Sequence, residues 1–207
     1  TALALGSAST PPIIVYLAEY FGWESTFFLI SILGVIGALI WWKYSTNWPT
    51  EHPDINREEL ELIGQSDFNN NQMSWPLIKE VLTNKDVLFT ALGYMSMNYV
   101  FFIFYSWIFI YFVTIRGFNM LEGSLLASLP FLMGAIGATC GGFLCDRLQM
   151  RYGVTWGHRI PIIIGLIPSA GFLLFGSITE NPYLAVLSLS LCYGFIELTD
   201  GPFWSTI

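Results

Sequence analysis

Long apolar runs separated by short polar segments dominate the chain. Six such runs can be followed, at approximately 1–21, 25–42, 87–113, 122–144, 160–178 and from 183 onward. A helix of roughly 20 apolar residues crosses the ~30 Å hydrocarbon core of a bilayer. Each run is therefore predicted to be a transmembrane helix, and the chain is expected to be an all-α, polytopic membrane bundle.

The composition agrees with this fold class. Hydrophobic residues make up 54% of the 207 residues and charged residues only 11%, whereas soluble domains carry roughly 25% charged residues. The mean hydropathy is +0.58. The net charge of -7 comes mostly from one polar segment, and no basic patch suggests nucleic-acid binding. The lipid bilayer is therefore the expected surroundings of most of the chain.

Nothing in the sequence suggests covalent catalysis, a metal or another cofactor. Cys140, Cys145 and Cys192 fall within or at the ends of apolar runs and lack the number and spacing of a disulfide or metal framework. His52 and His158 have no nucleophile or metal-ligand partner at a useful spacing, and both are expected to be solvated loop residues. We therefore expect a protein that is not an enzyme.

The polar segments between the runs differ in length. A tight turn is predicted at 21–24, between the first two spans. Segment 45–86 is the long polar connection, with a short amphipathic helix expected at 56–63, a flexible tip at 69–72 and a second surface helix at 75–82. A solvated linker explains the charges of this segment without any further role.

A short basic segment connects the fourth and fifth runs. Within it, Gly142, Asp146, Arg147 and Arg151 give the pattern G-x-x-x-D-R-x-x-x-R. Gly142 would allow a neighbouring helix to approach closely, Asp146 at the membrane boundary needs a partner, and Arg147 and Arg151 lie one helical turn apart. A gating loop and a plain basic loop at a helical hairpin are both compatible with this pattern.

The basic residues predict the orientation of the spans. If segments 45–86 and 146–159 are cytoplasmic, only Arg116 lies on the outer side. The inner side then holds Lys43, Arg57, Lys79, Lys85, Arg147, Arg151 and Arg159. This distribution satisfies the positive-inside rule, so we expect an integral, multi-pass protein of the cell (inner) membrane with both segments inside.

The basic pattern resembles the loop signature of the major facilitator superfamily, although Gln149-Met150 replaces a frequent Gly-Arg pair. Its anion:cation symporter branch includes bacterial sugar-acid transporters, sialin and vesicular glutamate transporters. Other segments share this likeness: residues 1–7 with Pro11-Pro12, 21–23, 129–130 with Gly134 and Gly137, 141–148, Trp107 with Tyr111, and 201–204. That branch frequently has a Trp-x-Pro motif, and here Phe109 replaces the proline that would follow Trp107. The first run lacks the Gly-Pro-x-x-Gly-Gly motif of drug/proton antiporters.

The resemblance implies a major facilitator fold and places the spans as helices 5 to 10 of 12. Both ends of the sequence fall inside apolar runs, so a fragment is expected. Residues 1–44 would then be the last two helices of the N-terminal bundle, 45–86 the cytoplasmic inter-bundle loop, and 87–207 the first four helices of the C-terminal bundle.

Two acidic residues of the last run are the candidates for proton coupling. At 1.5 Å per residue, Glu197 would lie about 20 Å into a helix that starts near residue 183. An ionisable group at that depth costs several kcal/mol unless it faces a water-filled cavity or is protonated. Asp200, one turn further, could share a proton with Glu197. A structural hydrogen bond to a neighbouring helix is the alternative role for Glu197.

Candidate substrate-binding residues follow from aromatic and polar chemistry. The resemblance puts Trp204 in the substrate pocket, and Trp107 and Tyr111 could face it; Asn98 and Ser7 are further polar candidates. Aromatic rings stack on the apolar faces of sugars, but packing is the alternative role for each ring. The runs contain no interior Arg or Lys, so the preference for an anion rests on the resemblance.

These observations favour a secondary active transporter that carries a small organic anion, such as a sugar acid, together with protons by alternating access. Its partners would be the small-molecule substrate, protons and lipid, and a monomer would suffice for function. The alternatives are a sugar or drug transporter of another branch of the superfamily, or a transporter-like sensor that binds its ligand without moving it.

Overall fold

The computed structural model describes residues 2–46, 51–52, 55–56 and 75–205, which are helical apart from short connections. The helices are α1 (Ala2–Tyr44), α2 (Trp75–Thr83), α3 (Lys85–Ile110), α4 (Met120–Ile178), α5 (Pro182–Glu197) and α6 (Asp200–Trp204), and a π-helical turn, Tyr111–Ile115, extends α3. Helix α2 confirms the surface helix expected at 75–82. The expected tip at 69–72 and all but the first residue of the expected helix at 56–63 lie outside the described residues.

Single glycines divide the two longest helices. Gly22 in α1 and Gly153 in α4 have positive φ angles of 79° and 80°, a conformation that glycine adopts without the steric cost of a Cβ atom. Unbroken helices of 43 and 59 residues would reach about 65 and 90 Å, well beyond a bilayer. Each break therefore leaves two arms, at 2–21 and 23–44 in α1 and at 120–152 and 154–178 in α4.

The arms reproduce the predicted spans. Four helical segments, Ala2–Tyr44, Lys85–Ile115, Met120–Ile178 and Pro182–Trp204, are long and apolar enough to cross a membrane. Because Gly22 and Gly153 split two of them, the six predicted spans are accounted for, and the turn predicted at 21–24 is confirmed. The basic segment 146–159, predicted as the loop at the tip of a hairpin, is mostly helical, and the chain turns within it at Gly153.

The turn at Gly153 is closed by hydrogen bonds of the buried His158 side chain. The ring nitrogen Nδ1 of His158 donates to the Val154 carbonyl at 2.7 Å, and the Gln149 amide nitrogen lies 3.0 Å from the other ring nitrogen. Only 6% of His158 is exposed. The expectation that His158 is solvated is therefore wrong: its ring packs between the two arms because Gly157 leaves no side chain against Gln149.

Helix α5 lies between the two arms of α4 and is the most deeply buried of the apolar helices. The first arm runs parallel to α5, since Gly137 faces Gly194 and Gly141 faces Leu198. The second arm runs antiparallel, since Gly165 faces Phe195 and Thr199 whereas Gly176 faces Leu189. The two arms of α4 thus form a hairpin that holds α5.

Glycines set the distance between these helices. A Cβ atom at Gly137 would collide with the Gly194 carbonyl oxygen, and one at Gly141 would collide with the Leu198 carbonyl oxygen. In lipid, where apolar burial provides no driving force between helices, such close backbone contacts are a main source of helix association. The stretch at 134–141 of α4 is therefore a packing surface for α5.

The opposite end of the hairpin is fastened by Arg116. Its guanidinium group donates to the carbonyl oxygens of Gly176 and Thr179 at 2.8 and 2.7 Å and to the Tyr111 hydroxyl at 2.8 Å. A cation near the last carbonyls of a helix satisfies free acceptors and complements the helix dipole. Arg116 thereby ties the end of α3 to the end of α4.

Replacing Gly141 by alanine tests the packing surface. The added Cβ would meet the Leu198 backbone, which cannot move cheaply, so we expect a loss of about 1–3 kcal/mol in stability, as for other overpacked sites. Gly142→Ala is the matched control, because a Cβ there meets no described atom within 4 Å. Thermal unfolding of the purified protein in detergent measures both variants. Equal unfolding midpoints for the two would contradict the packing.

Replacing Gly153 by alanine tests the turn. Alanine in this left-handed conformation should cost about 1–2 kcal/mol. Gly171→Ala is a suitable comparison, because both sites have open space around a Cβ but Gly171 lacks a positive φ; there alanine should stabilise the helix by roughly 0.5–1 kcal/mol. Opposite shifts of the unfolding temperature are expected. A stabilising Gly153→Ala substitution would mean that the chain does not turn at this residue.

Candidate functional site

The candidate site lies where the last apolar run breaks into two helices. Glu197 is the final residue of α5, and α6 begins at Asp200. Pro202 has no N–H group to donate to the Leu198 carbonyl, so the regular hydrogen-bond ladder cannot continue there. The Thr199 hydroxyl instead donates to the Ile196 carbonyl at 2.7 Å. The last span is therefore interrupted next to its acidic residues.

Glu197 is buried, with 8% of its surface exposed. Its Cγ atom lies against α4 at Gly134, where an added Cβ would come within 3.0 Å of it. Burying a carboxylate is costly unless hydrogen bonds or a counter-charge compensate. Tyr193, one turn earlier on α5, shares the contact with Gly134, and Asp200 follows three residues after Glu197.

Tyr193 is a site residue that sequence reasoning missed. It precedes Glu197 by four residues, so both side chains leave the same face of α5, and the Tyr193 ring and the Glu197 Cγ atom both lie against Gly134 of α4. The four-residue spacing from Glu197 was the sequence signal that could have identified Tyr193. The chain has many aromatic residues, however, and nothing in the sequence distinguished this ring from the others.

Asp200 and Trp204 form the second half of the site. Asp200 is half-buried, and Trp204 lies four residues further, one turn along α6. The Trp204 ring is 63% exposed and meets the Tyr94 ring of α3 edge-on, with centroids 5.7 Å apart. Three of the predicted residues, Glu197, Asp200 and Trp204, are thus brought together.

The other predicted substrate residues are not gathered at this site. Trp107 is exposed on α3. The Tyr111 hydroxyl accepts a hydrogen bond from the Arg116 guanidinium group at the far end of the bundle. The Ser7 hydroxyl donates to the Leu3 carbonyl of its own helix. Asn98 is nearer, because its amide donates at 3.0 Å to the carbonyl of Tyr94, the residue that contacts Trp204.

The predicted gating residues lie near the turn of the α4 hairpin. Asp146, Arg147 and Arg151 are exposed, and Arg151 lies over the ring of the neighbouring Tyr152. Within the described ranges Asp146 has no ion pair with either arginine. The tightest helix approach is at Gly141, against Leu198, whereas at the predicted Gly142 the approach is looser: a Cβ at Gly201 of α6 would lie 3.9 Å from the Gly142 backbone.

Two cavities adjoin the site. One of about 570 Å³ is lined by α2 and α3 residues that include Thr90 and Tyr94. The other, of about 380 Å³, is bounded by Asp86, His158 and Arg159 and by Phe203 of α6. Searched over the described residues, the chain has no cluster of three or more His, Cys, Asp or Glu side chains that could hold a metal ion.

The sequence matches known transporters along its whole length. The family model of the Major Facilitator Superfamily matches residues 1–207. A probable galactarate/D-glucarate transporter of Bacillus subtilis is 31% identical over 193 residues, which cover 88% of this chain and 42% of that protein. A hexuronate transporter of the same organism is 30% identical over 206 residues, or 98% of this chain and 47% of that protein.

A plant protein extends the comparison. The chloroplastic ascorbate transporter of Arabidopsis thaliana is 29% identical over 202 residues, which cover 97% of this chain and 37% of that protein. The chain thus spans about half the length of the curated relatives it matches, or less.

Proposed function

Since the chain belongs to the Major Facilitator Superfamily, we propose that the protein is a proton-coupled secondary transporter of a small organic anion such as a sugar acid. The relatives support the substrate class, because they are named as transporters of galactarate, glucarate and hexuronates. The apolar arms support an integral, multi-pass membrane protein. Its place in the cell (inner) membrane is part of the proposal.

The buried Glu197 beside Asp200 is the observation that carries proton coupling. A carboxyl group at this depth is tolerated when it is protonated or well hydrogen-bonded. Two carboxyl groups that are close neighbours can bind and release protons as a pair. A conformation that admits water to the α5–α6 junction would allow release of the proton, and a closed conformation would favour its retention. Proton movement would thereby be coupled to opening and closing.

Alternating access needs two bundles that rock about a site near the middle of the membrane. We assign residues 1–44 to the end of the N-terminal bundle, 45–86 to the cytoplasmic connection and 87–207 to the C-terminal bundle. In this arrangement the turn at Gly153 faces the cytoplasm. The exposed Asp146, Arg147 and Arg151 would then make contacts with the other bundle in one conformation that are broken in the other.

Substrate contact is proposed for the exposed ring of Trp204. An aromatic face can stack on the apolar side of a sugar acid, and Trp204 lies one turn from Asp200 on α6. Asn98, close to Tyr94 in sequence and in space, would offer an amide on the α3 side. Substrate and protons would then bind within the same junction of α3, α5 and α6.

Replacing Glu197 by glutamine in the full-length protein tests this function. Uptake of labelled D-glucarate, galactarate and a hexuronate into liposomes is measured with and without an inward proton gradient. The variant should lose gradient-driven uptake and keep exchange of internal for external substrate, because exchange needs no net proton transfer. Glu180→Gln removes an exposed carboxylate and should behave as wild type.

Two results would contradict the proposal. Gradient-driven uptake at the wild-type rate in Glu197→Gln would remove this residue from coupling. Binding of these anions to the wild-type protein without any uptake would instead favour a sensor over a transporter.

A further inference from the structure

We propose that Tyr193 is the positioning residue of Glu197: its hydroxyl holds the carboxyl group in one orientation in both protonation states. This inference rests on the proposed function of Glu197. It concerns a ring that lies in an otherwise apolar cluster between α3, α4 and α5. A phenylalanine would fill the same space, so the hydroxyl group is the feature that requires an explanation.

The Tyr193 ring is fixed by its aromatic neighbours. It is 1% exposed, and its centroid lies 5.3 Å from Phe104, 5.3 Å from Phe131 and 5.8 Å from Phe101. These tilted and edge-on contacts from two other helices are favourable geometries for aromatic pairs. The ring therefore cannot swing away from α5 without disturbing the core.

Gly134 brings Tyr193 and Glu197 to the same point of α4. A Cβ atom at this position would come within 2.6 Å of Tyr193 Cε1 and 3.0 Å of Glu197 Cγ. The absence of a side chain on α4 thus lets both groups lie against its backbone. Their relative position is then set by three rigid parts: the turn of α5, the glycine surface and the aromatic cluster.

The chemistry of a phenol suits a carboxyl group that gains and loses a proton. A tyrosine hydroxyl can donate one hydrogen bond and can also accept one. Towards the charged carboxylate of Glu197 the Tyr193 hydroxyl donates. Towards the protonated acid it accepts, after rotation of the O–H bond alone. One partner thus serves both states without movement of the ring, and Asp200 and Trp204 remain free to respond to substrate.

Tyr193→Phe tests the inference in the full-length protein, because it removes only the hydroxyl. Loss of a hydrogen bond to a charged group should lower gradient-driven uptake about tenfold or more, while substrate exchange stays at the wild-type rate. Tyr99→Phe is the matched control, since Tyr99 lies on α3 with a 71% exposed side chain. A purely structural tyrosine would lower uptake and exchange together.

Combining substitutions links the effect to Glu197. Glu197→Asp provides a second variant that keeps the charge but shortens the reach to Tyr193. It should show the same selective loss of gradient-driven uptake, and adding Tyr193→Phe should leave that loss unchanged.

The possible failures are distinguishable. If Glu197→Gln uncouples uptake but Tyr193→Phe leaves it unchanged, or lowers uptake and exchange equally, the positioning role is wrong and the proposed function stands. If Tyr193→Phe does not fold, the Glu197→Asp variant decides. Loss of gradient-driven uptake in Glu197→Asp supports the inference, and wild-type coupling in Glu197→Asp overturns it. If Glu197→Gln itself transports normally with the gradient, both the function and the inference are wrong.

Discussion

The close approach of α4 and α5 at glycine residues is the constraint on which the rest of this structure depends. Gly137 and Gly141 allow backbone carbonyls of α5 to lie against the first arm of α4. The second arm reaches the other side of α5 because Gly153 reverses the chain and Gly165 leaves room for Thr199. Helix α5 is buried for this reason, and its acidic end is buried with it.

The same packing explains how an ionisable group can be kept in an apolar bundle. Glu197 lies at Gly134, on the same surface as Gly137 and Gly141, and Tyr193 reaches it from one turn earlier. Pro202 interrupts the backbone ladder just beyond. Interrupted helices in membrane proteins are tolerated where they are enclosed by protein or line a water-filled cavity. The junction of α5 and α6 combines this interruption with a pair of carboxyl groups.

Much of the architecture could be predicted from the sequence because it depends on local signals. The length and hydropathy of the apolar runs were enough to predict the six spans. Gly22 next to aromatic residues was enough to predict the first turn. The basic pattern around Asp146 and Arg147 led to the family, which the match over residues 1–207 confirms. Glu197 stood out as a carboxylate deep inside an apolar run.

The remaining features depend on contacts between distant parts of the chain. Charges at 146–159 suggested a loop, but helix continues up to Gly153 and resumes after it, and one Gln149–His158 hydrogen bond spans the turn. The sequence alone cannot tell whether Gly141 or Gly142 contacts the neighbouring helix. The path of α5 decides this, because it brings Leu198 against Gly141. Tyr193 was missed for a similar reason: its importance comes from Gly134 and three phenylalanines on other helices.

Proton coupling as proposed requires a carboxyl group enclosed by this packing to change its protonation during transport. Infrared difference spectroscopy of the full-length protein in lipid, with and without D-glucarate, measures this directly through the C=O stretch of a protonated carboxylic acid. A substrate-dependent carboxylic-acid band is expected that disappears in Glu197→Gln and persists in Glu180→Gln. A band that is unchanged by Glu197→Gln would contradict it.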